Sequence, residues 1–255
     1  MNMGKDKLGT RMKTQYEHRC RQFLPRRTYT IVRLDGKAFH TFTKGFDKPY
    51  DLDLMTLMDE TAKSLCEQVQ GVKFAYVQSD EITLLLTDFE KIHTNAYFDG
   101  NVQKITSISA SIATAAFNKS LVYLPSNKVI NKDGQLKTAL FDSRVFTIPD
   151  RTEVENCFIW RQMDATKNSI SMLGQAHFTH KELHGKNGSQ VQDMLMTLKD
   201  INWNDCPTGF KRGRVIVKEN YQKNGATRNR WIIKGADIFT KNDRNFFEEQ
   251  IPRVE

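Results

Sequence analysis

Lys73-Phe74-Ala75-Tyr76-Val77-Gln78-Ser79-Asp80-Glu81-Ile82-Thr83-Leu84-Leu85-Leu86-Thr87 is the stretch on which the fold turns. Two apolar runs, Lys73 to Gln78 and Ile82 to Thr87, flank a tight Ser79-Asp80-Glu81 turn, so the pattern predicts a hairpin. Upstream, Tyr29 to Leu34 reads as a strand that breaks at Asp35-Gly36. Between that strand and the hairpin, Asp51 has the chemistry of an N-cap and Asp53 sits in the first turn. The helix they open carries Leu54, Met58, Ala62, Leu65 and Val69 on one face and ends by Gly71. Downstream, Asn101 to Asn118 predicts a second helix, with Val102, Ile105, Ile108, Ile112 and Ala116 on one face. A polar loop, Ser126 to Lys137, leads to a last strand at Ala139 to Ile148. The order is β-α-β-β-α-β, the ferredoxin-like split unit, which places the chain in the α+β class. Ahead of it, Leu8, Met12, Tyr16 and Cys20 give Lys5 to Arg27 a helical spacing that Pro25 stops.

This order has a chemical consequence. A right-handed crossover makes the first two strands parallel and inserts the third between them, antiparallel to both. The end of the first strand and the hairpin turn then share one sheet edge, which brings the Asp35 and Asp80 carboxylates together. Such a pair suits magnesium bound to a triphosphate, because that ion takes one or two carboxylates and fills its octahedron with phosphate and water oxygens. Lys37, Lys44 and Lys48 would meet phosphates as point charges, and Gly36 would let the backbone come close. Asp-Gly and Ser-Asp-Glu are also ordinary turn chemistry, and that reading stays open beside the metal one.

The chain has 255 residues, with 38 Lys and Arg against 30 Asp and Glu, a net charge of +8 that points to a polyanionic partner. It is too apolar for a disordered chain, and no run of eighteen apolar residues would span a membrane. The charged N-terminus (Lys5, Asp6, Lys7, Arg11, Lys13) is unlike an export signal, which leads to an expected cytoplasmic location. Cys20, Cys66, Cys157 and Cys206 are widely spaced and read as buried small hydrophobes. His177, His180 and His184 have near-helical spacing, but no metalloprotease pattern accompanies them, and an exposed or RNA-facing helix is the default. In the C-terminal third, Gln190 to Leu198 predicts a helix, while Gly209 to Lys218 and Arg228 to Gly235 predict a hairpin. Its cations interleave with aromatics (Phe210, Tyr221, Trp231), a mixture that can track phosphates and stack on bases. A hairpin with core-facing aromatics and solvated cations is the plainer alternative. Residues 1–150 are taken as a catalytic core with its N-terminal helix, and 151–255 as a region packed on it.

Five ordered blocks then resemble a known family. Arg33-Leu34-Asp35-Gly36-Lys37-Ala38-Phe39-His40, Lys48-Pro49, Gln78-Ser79-Asp80-Glu81, Phe141-Asp142-Ser143-Arg144 and Trp160-Arg161-Gln162 are similar to the signature blocks of tRNA(His) guanylyltransferases. The Leu8-Gly9-Thr10-Arg11-Met12-Lys13 and Cys206-Pro207-Thr208-Gly209-Phe210 runs resemble the bacterial and archaeal "-like" branch. The resemblance implies a polymerase-palm-like core that extends tRNA from its 5′ end. It implies that Asp35, the Gly36 carbonyl and Asp80 hold two Mg2+ ions, with Glu81 as an adjacent essential acid. Lys37, Ala38, Phe39, His40, Asp47, Lys48, Asp51 and Ser79 match positions around the bound ATP, GTP or other NTP. Candidate tRNA contacts are Arg144, Arg161, Asn168, Lys211, Arg212, Arg214, Arg228 and Arg230. A homotetramer is implied as well. Where guanylyltransferases proper carry His-Ile-Asn-Asn, this chain has Thr166-Lys167-Asn168-Ser169. That departure favours template-directed repair of truncated 5′ ends over addition of the extra G to tRNA(His). A palm-type nucleotide cyclase and a non-catalytic RNA-binding protein remain the other readings.

Overall fold

Gln78 pairs with Glu81 across a two-residue turn, Ser79-Asp80, and the hairpin predicted there sits near the centre of one sheet. A computed structural model describes residues 3–240 and 245–253, the side chains of residues 3–6 excepted. Among these residues the strands are β1 (Tyr29–Gly36), β2 (Val72–Gln78), β3 (Glu81–Leu86), β4 (Phe141–Ile148), β5 (Arg214–Lys223) and β6 (Ala226–Gly235). The helices are α1 (Met3–Gln15), α2 (Phe39–Phe42), α3 (Leu52–Gln68), α4 (Val102–Leu121) and α5 (Ser126–Val129). After them come α6 (Arg151–His177), α7 (His180–Leu183), α8 (Gly188–Lys199), α9 (Thr208–Arg212) and α10 (Asn245–Gln250). The sheet order is β4-β1-β3-β2-β5-β6, and every neighbouring pair is antiparallel.

Strand alternation sorts the core into two layers. Val32, Leu34, Ala75, Val77, Ile82 and Leu84 face α3 and α4, where Met58, Ala62, Leu65, Ala113 and Phe117 meet them. Tyr29, Ile31, Phe74, Tyr76 and Leu85 face the other way, onto Val154 and Phe158 of α6 and Phe247 of α10. A third cluster contains no strand residue. Ile170 and Leu173 of α6 pack there against Val191 and Leu195 of α8 and against Trp203.

The caps explain where the helices start. Asp51 accepts from the amides of Asp53 and Leu54 at the head of α3, and Asn101 accepts from Lys104 at the head of α4. Asp150 does the same for α6, a helix of 27 residues whose first 26 positions have no counterpart in the sequence expectation. Its buried side includes Glu155, Arg161, Gln162 and Ser169, so the apolar stripe that marks an amphipathic helix is interrupted. The opposite departure occurs at the N-terminus. α1 forms, but Leu8, Met12 and Tyr16 are exposed, and Glu17–Cys20 is a 3-10 turn where a continuous helix was expected. Cys20 is exposed as well, contrary to the reading of all four cysteines as buried; Cys66 is buried and the other two are half-buried.

Near Gly209, Thr208–Arg212 coils into α9 and the strand begins only at Arg214. β5 pairs with β2 from Val217 back to Arg214, so the hairpin from Lys218 onward projects beyond the sheet as a two-stranded arm. Asn224 and Gly225, both at positive φ, close it with the backbone that a two-residue hairpin turn demands. At the arm's root, the buried Arg214 guanidinium donates to Asp59 of α3 at 2.6 Å. Removing one partner strands the other charge in the interior. Arg214→Met is expected to lower the unfolding free energy by about 3–5 kcal/mol, while Arg228→Met on the exposed arm changes it by under ~0.5 kcal/mol. Urea denaturation of the two variants checks this contrast.

Candidate active site

Three strand ends meet where the topology predicts. Asp35 lies opposite Glu81 on β3 and opposite Asp142 on β4, so the three carboxylates share the α6 face of the sheet. The Gly36 amide donates to the Asp80 carbonyl at 3.1 Å, which pins the hairpin turn to the end of β1. Ser79 takes a positive φ in that turn. Asp35-Gly36 itself closes no hairpin, because β1 runs through to Gly36 with β4 paired alongside. A Cβ on Gly36 would lie 2.3 Å from the Phe39 ring, so packing against that ring is what requires glycine here.

The electrostatics follow from the crowding of acids. Burial pushes the Asp35 carboxyl above its ordinary value, and Glu81 and Asp142 push it further, against the pull of Arg144 and Arg33. Asp80 is also raised, first by burial, although its own amide and the Ser79 hydroxyl stabilise the charged form. Glu81 is held differently. Arg161 of α6 grips both its oxygens at 2.7 Å, also reaches Asp164 at 3.0 Å, and stacks on Trp160. Arg144 is exposed, 3.4 Å from Asp142 and 4.0 Å from Asp35.

The donor set tests whether magnesium suits this place. The described residues contain no group of three or more His, Cys, Asp or Glu placed to hold a metal by themselves. Asp35 and Asp80 are hard oxygen donors whose raised values a dication would pull down. Magnesium needs only one or two such carboxylates when phosphates and water complete its shell. The residues fit that mode of binding.

The segment after Gly36 divides into anchors and exposed groups. Lys37, Ala38, His40, Asp47, Lys48 and Ser79 are exposed. Phe39 is not, and its ring packs with Phe42, Phe117 and Phe141; the side chain is core and cannot meet a nucleotide. Asp51 is likewise committed to structure. Burial alone would raise its carboxyl, but Lys128, at 2.7 Å, and the Asp47 and Leu54 amides hold it below the usual range. Lys137 donates to the carbonyls of Phe42, Lys44 and Lys128 at 2.6–3.0 Å and fastens the loop from beneath. Neither lysine figured among the expected site residues, because each acts from the polar 126–137 loop on a segment far away in sequence.

Three expected RNA contacts must also be corrected. Arg161, Lys211 and Arg214 are buried. Arg161 holds Glu81, Arg214 holds Asp59, and the Lys211 ammonium bonds the Asn204 carbonyl. Arg212 is half-buried beside Trp203, and Arg230 pairs with Glu219 at 2.8 Å on the arm, where Arg228 is exposed. Asn168 is exposed and, with Ser79, Tyr50, Met55 and Phe210, lines a narrow cleft next to the hairpin turn. Asp142 also escaped notice as a site residue. The signal for it was the place of β4 beside β1 in the split unit, which sets Asp142 opposite Asp35.

Comparison with known proteins gives this geometry a family. The profile of tRNAHis guanylyltransferase matches residues 9–149. A bacterial tRNA(His) guanylyltransferase-like protein solved in complex with ATP has 46% sequence identity and a TM-score of 0.83, over 95% of this chain and 98% of its own. Another, solved with GTP, has 42% identity and a TM-score of 0.81, over 97% and 100%. The tRNA(His) guanylyltransferase of Debaryomyces hansenii is 30% identical over 80% of this chain and 78% of its own length. The chain belongs to the tRNA(His) guanylyltransferase family, and it is a nucleotidyltransferase.

The raised Asp80 value has a measurable cost. Because the folded chain keeps that proton to higher pH than the unfolded chain does, stability falls as pH rises through the window between the two values and stays lower above it. Asp80→Asn removes the penalty. The variant is expected to resist urea better than wild type at neutral pH without divalent cations, with the advantage fading below the ordinary aspartate value of about 3.9. Equal stability of the two proteins across that range would refute the assignment.

Proposed function

We propose that this chain is a magnesium-dependent 3′-to-5′ nucleotidyltransferase that rebuilds truncated tRNA 5′ ends against the opposing strand as template. The observation that carries the reading is the Asp35 and Asp80 pair, raised together and tied by the Gly36 amide to Asp80 carbonyl bond. The β1–β4 part, with α3 and α4 on its reverse, serves as the palm. Magnesium bound by Asp35, Asp80 and the Gly36 carbonyl supplies positive charge to the triphosphate and to the attacking oxygen.

The chain's own residues orient the reactants. Exposed Lys37 and Lys48 contact phosphates, and the loop that carries them is held by Lys128 and Lys137. Arg161 keeps the Glu81 carboxylate fixed beside Asp35. For a 5′-monophosphate end, a phosphate oxygen of the tRNA attacks the α-phosphorus of ATP and pyrophosphate leaves. The 3′-hydroxyl of the incoming NTP then attacks the activated 5′ phosphorus, loses its proton, and AMP departs. A triphosphate end is attacked directly and loses pyrophosphate.

Thr166-Lys167-Asn168-Ser169 on α6, in place of His-Ile-Asn-Asn, supports the repair branch, as does the likeness to the bacterial guanylyltransferase-like proteins. Addition of the extra G to tRNA(His) is the second reading, which the family itself favours. A homotetramer working in the cytoplasm completes the proposal.

The test uses labelled tRNA lacking its first 5′ nucleotide, with ATP, magnesium and all four NTPs. Template-matched extension by wild type is expected, with Asp35→Ala and Asp80→Ala each losing extension while still binding tRNA. Addition of G alone, whatever the opposing base, would favour the second reading. No extension of either monophosphate or triphosphate ends would overturn the activity.

A further inference from the structure

A second cleft opens on another face of α6, where the third core cluster, rather than the sheet, supports the helix. Ile170 and Val191 floor it. Lys167 on α6, His180 and His184 at the two ends of α7, and Lys186 in the next loop stand around it, with no Asp or Glu among its lining residues. All four are exposed, and among the described residues neither lysine is paired with a carboxylate. The nearby acid, Glu182, is turned away from this role, since its carboxylate accepts from the Thr179 amide and hydroxyl at 2.7 Å. The start of α8 is not the attraction, because Asn187 and Gln190 already cap one another.

The position of the cleft says what it would hold. Lys167 adjoins Asn168 in sequence, and Asn168 lines the cleft beside the Asp80 turn. Only the body of one helix, about 10–12 Å across, separates the two spaces. A polyanion whose end lies at the carboxylates can therefore continue over α6 onto these cations. Lysines in such a place fix register on a backbone without reading bases.

We propose that this Lys167–His180–His184–Lys186 cleft binds the phosphate backbone of the tRNA acceptor stem next to the 5′ end under repair. The assignment rests on the proposed tRNA activity for the identity of the polyanion, but its test is read by binding alone. Fluorescently labelled tRNA is titrated with wild type, with Lys167→Gln/Lys186→Gln, and with Lys181→Gln, across a series of salt concentrations. Lys181 lies on α7 but outside the cleft, so it removes the same kind of charge elsewhere.

The double variant is expected to bind roughly tenfold more weakly at low salt, with a log K against log [salt] slope shallower by about 1 for each lysine removed. Lys181→Gln is expected to match wild type. His184→Gln, made as an independent variant, should weaken binding without altering the far-UV spectrum. Unchanged affinity and slope in the double variant would overturn the proposal, and so would an equal loss in Lys181→Gln, which would mark a mere net-charge effect. Absence of extension by wild type would strike the proposed activity instead, and leaves this binding comparison to stand or fall by itself.

Discussion

The hydrogen bond from the Gly36 amide to the Asp80 carbonyl joins the end of β1 to the turn between β2 and β3, and the site's geometry depends on it. With Asp35 opposite Glu81 in the same ladder, a slip of one residue would send the carboxylate to the opposite face, among Val32, Leu34 and Phe39. Burial on both sheet faces resists that slip. The apolar alternation of β1 and β3 thus fixes polar chemistry that it does not itself contain. The cost is that Asp35 and Asp80 are held together with their carboxyls above the ordinary value.

Arginine manages the rest of the charge. Arg161 and Arg214 each span from one element to another and each satisfies a carboxylate from the inside. A planar guanidinium with several fixed donors can do this where a lysine ammonium cannot. Lys128 and Lys137 show what ammonium groups do better, gathering several oxygens around a point beneath the segment that follows Gly36. The basic excess is therefore not all surface. Part of it is internal ligature, and the exposed remainder is spread over α1, the segment after Gly36, the arm, the α6–α8 region and scattered loop positions such as Lys91 and Lys132.

The sequence made α3 and the strands β1 to β3 readable because they bury apolar residues at their characteristic period. α4 forms as expected but buries Ile105, Ser109, Ala113, Phe117 and Leu121, a face rotated from the expected one, and leaves Ile108 exposed. The meeting of Asp35 with Asp80 was legible too, since topology alone brings those chain positions to one edge. α6 was not, because Glu155, Arg161, Gln162 and Ser169 occupy buried positions and erase its period. Nor can composition separate a cation paired in the interior from one in solvent, which is why Arg161, Lys211 and Arg214 looked like RNA contacts. α1 shows the converse failure. Its spacing is helical, yet Leu8 and Met12 find no partner within the described chain, so periodicity predicted the element and not its burial.

β5 joins two regimes of stability in one strand. From Arg214 to Val217 it is hydrogen-bonded on both sides and packed on both faces; from Lys218 to Lys223 it has β6 alone. Opening the outer half exposes little that is not already wet, so its amides should exchange with solvent at far lower free energy than those a few residues earlier. The boundary falls at the end of the β2 pairing, without a hinge or a glycine to mark it. An arm with that profile can change its curvature to follow a partner while the Asp35–Asp80 edge of the same sheet stays rigid.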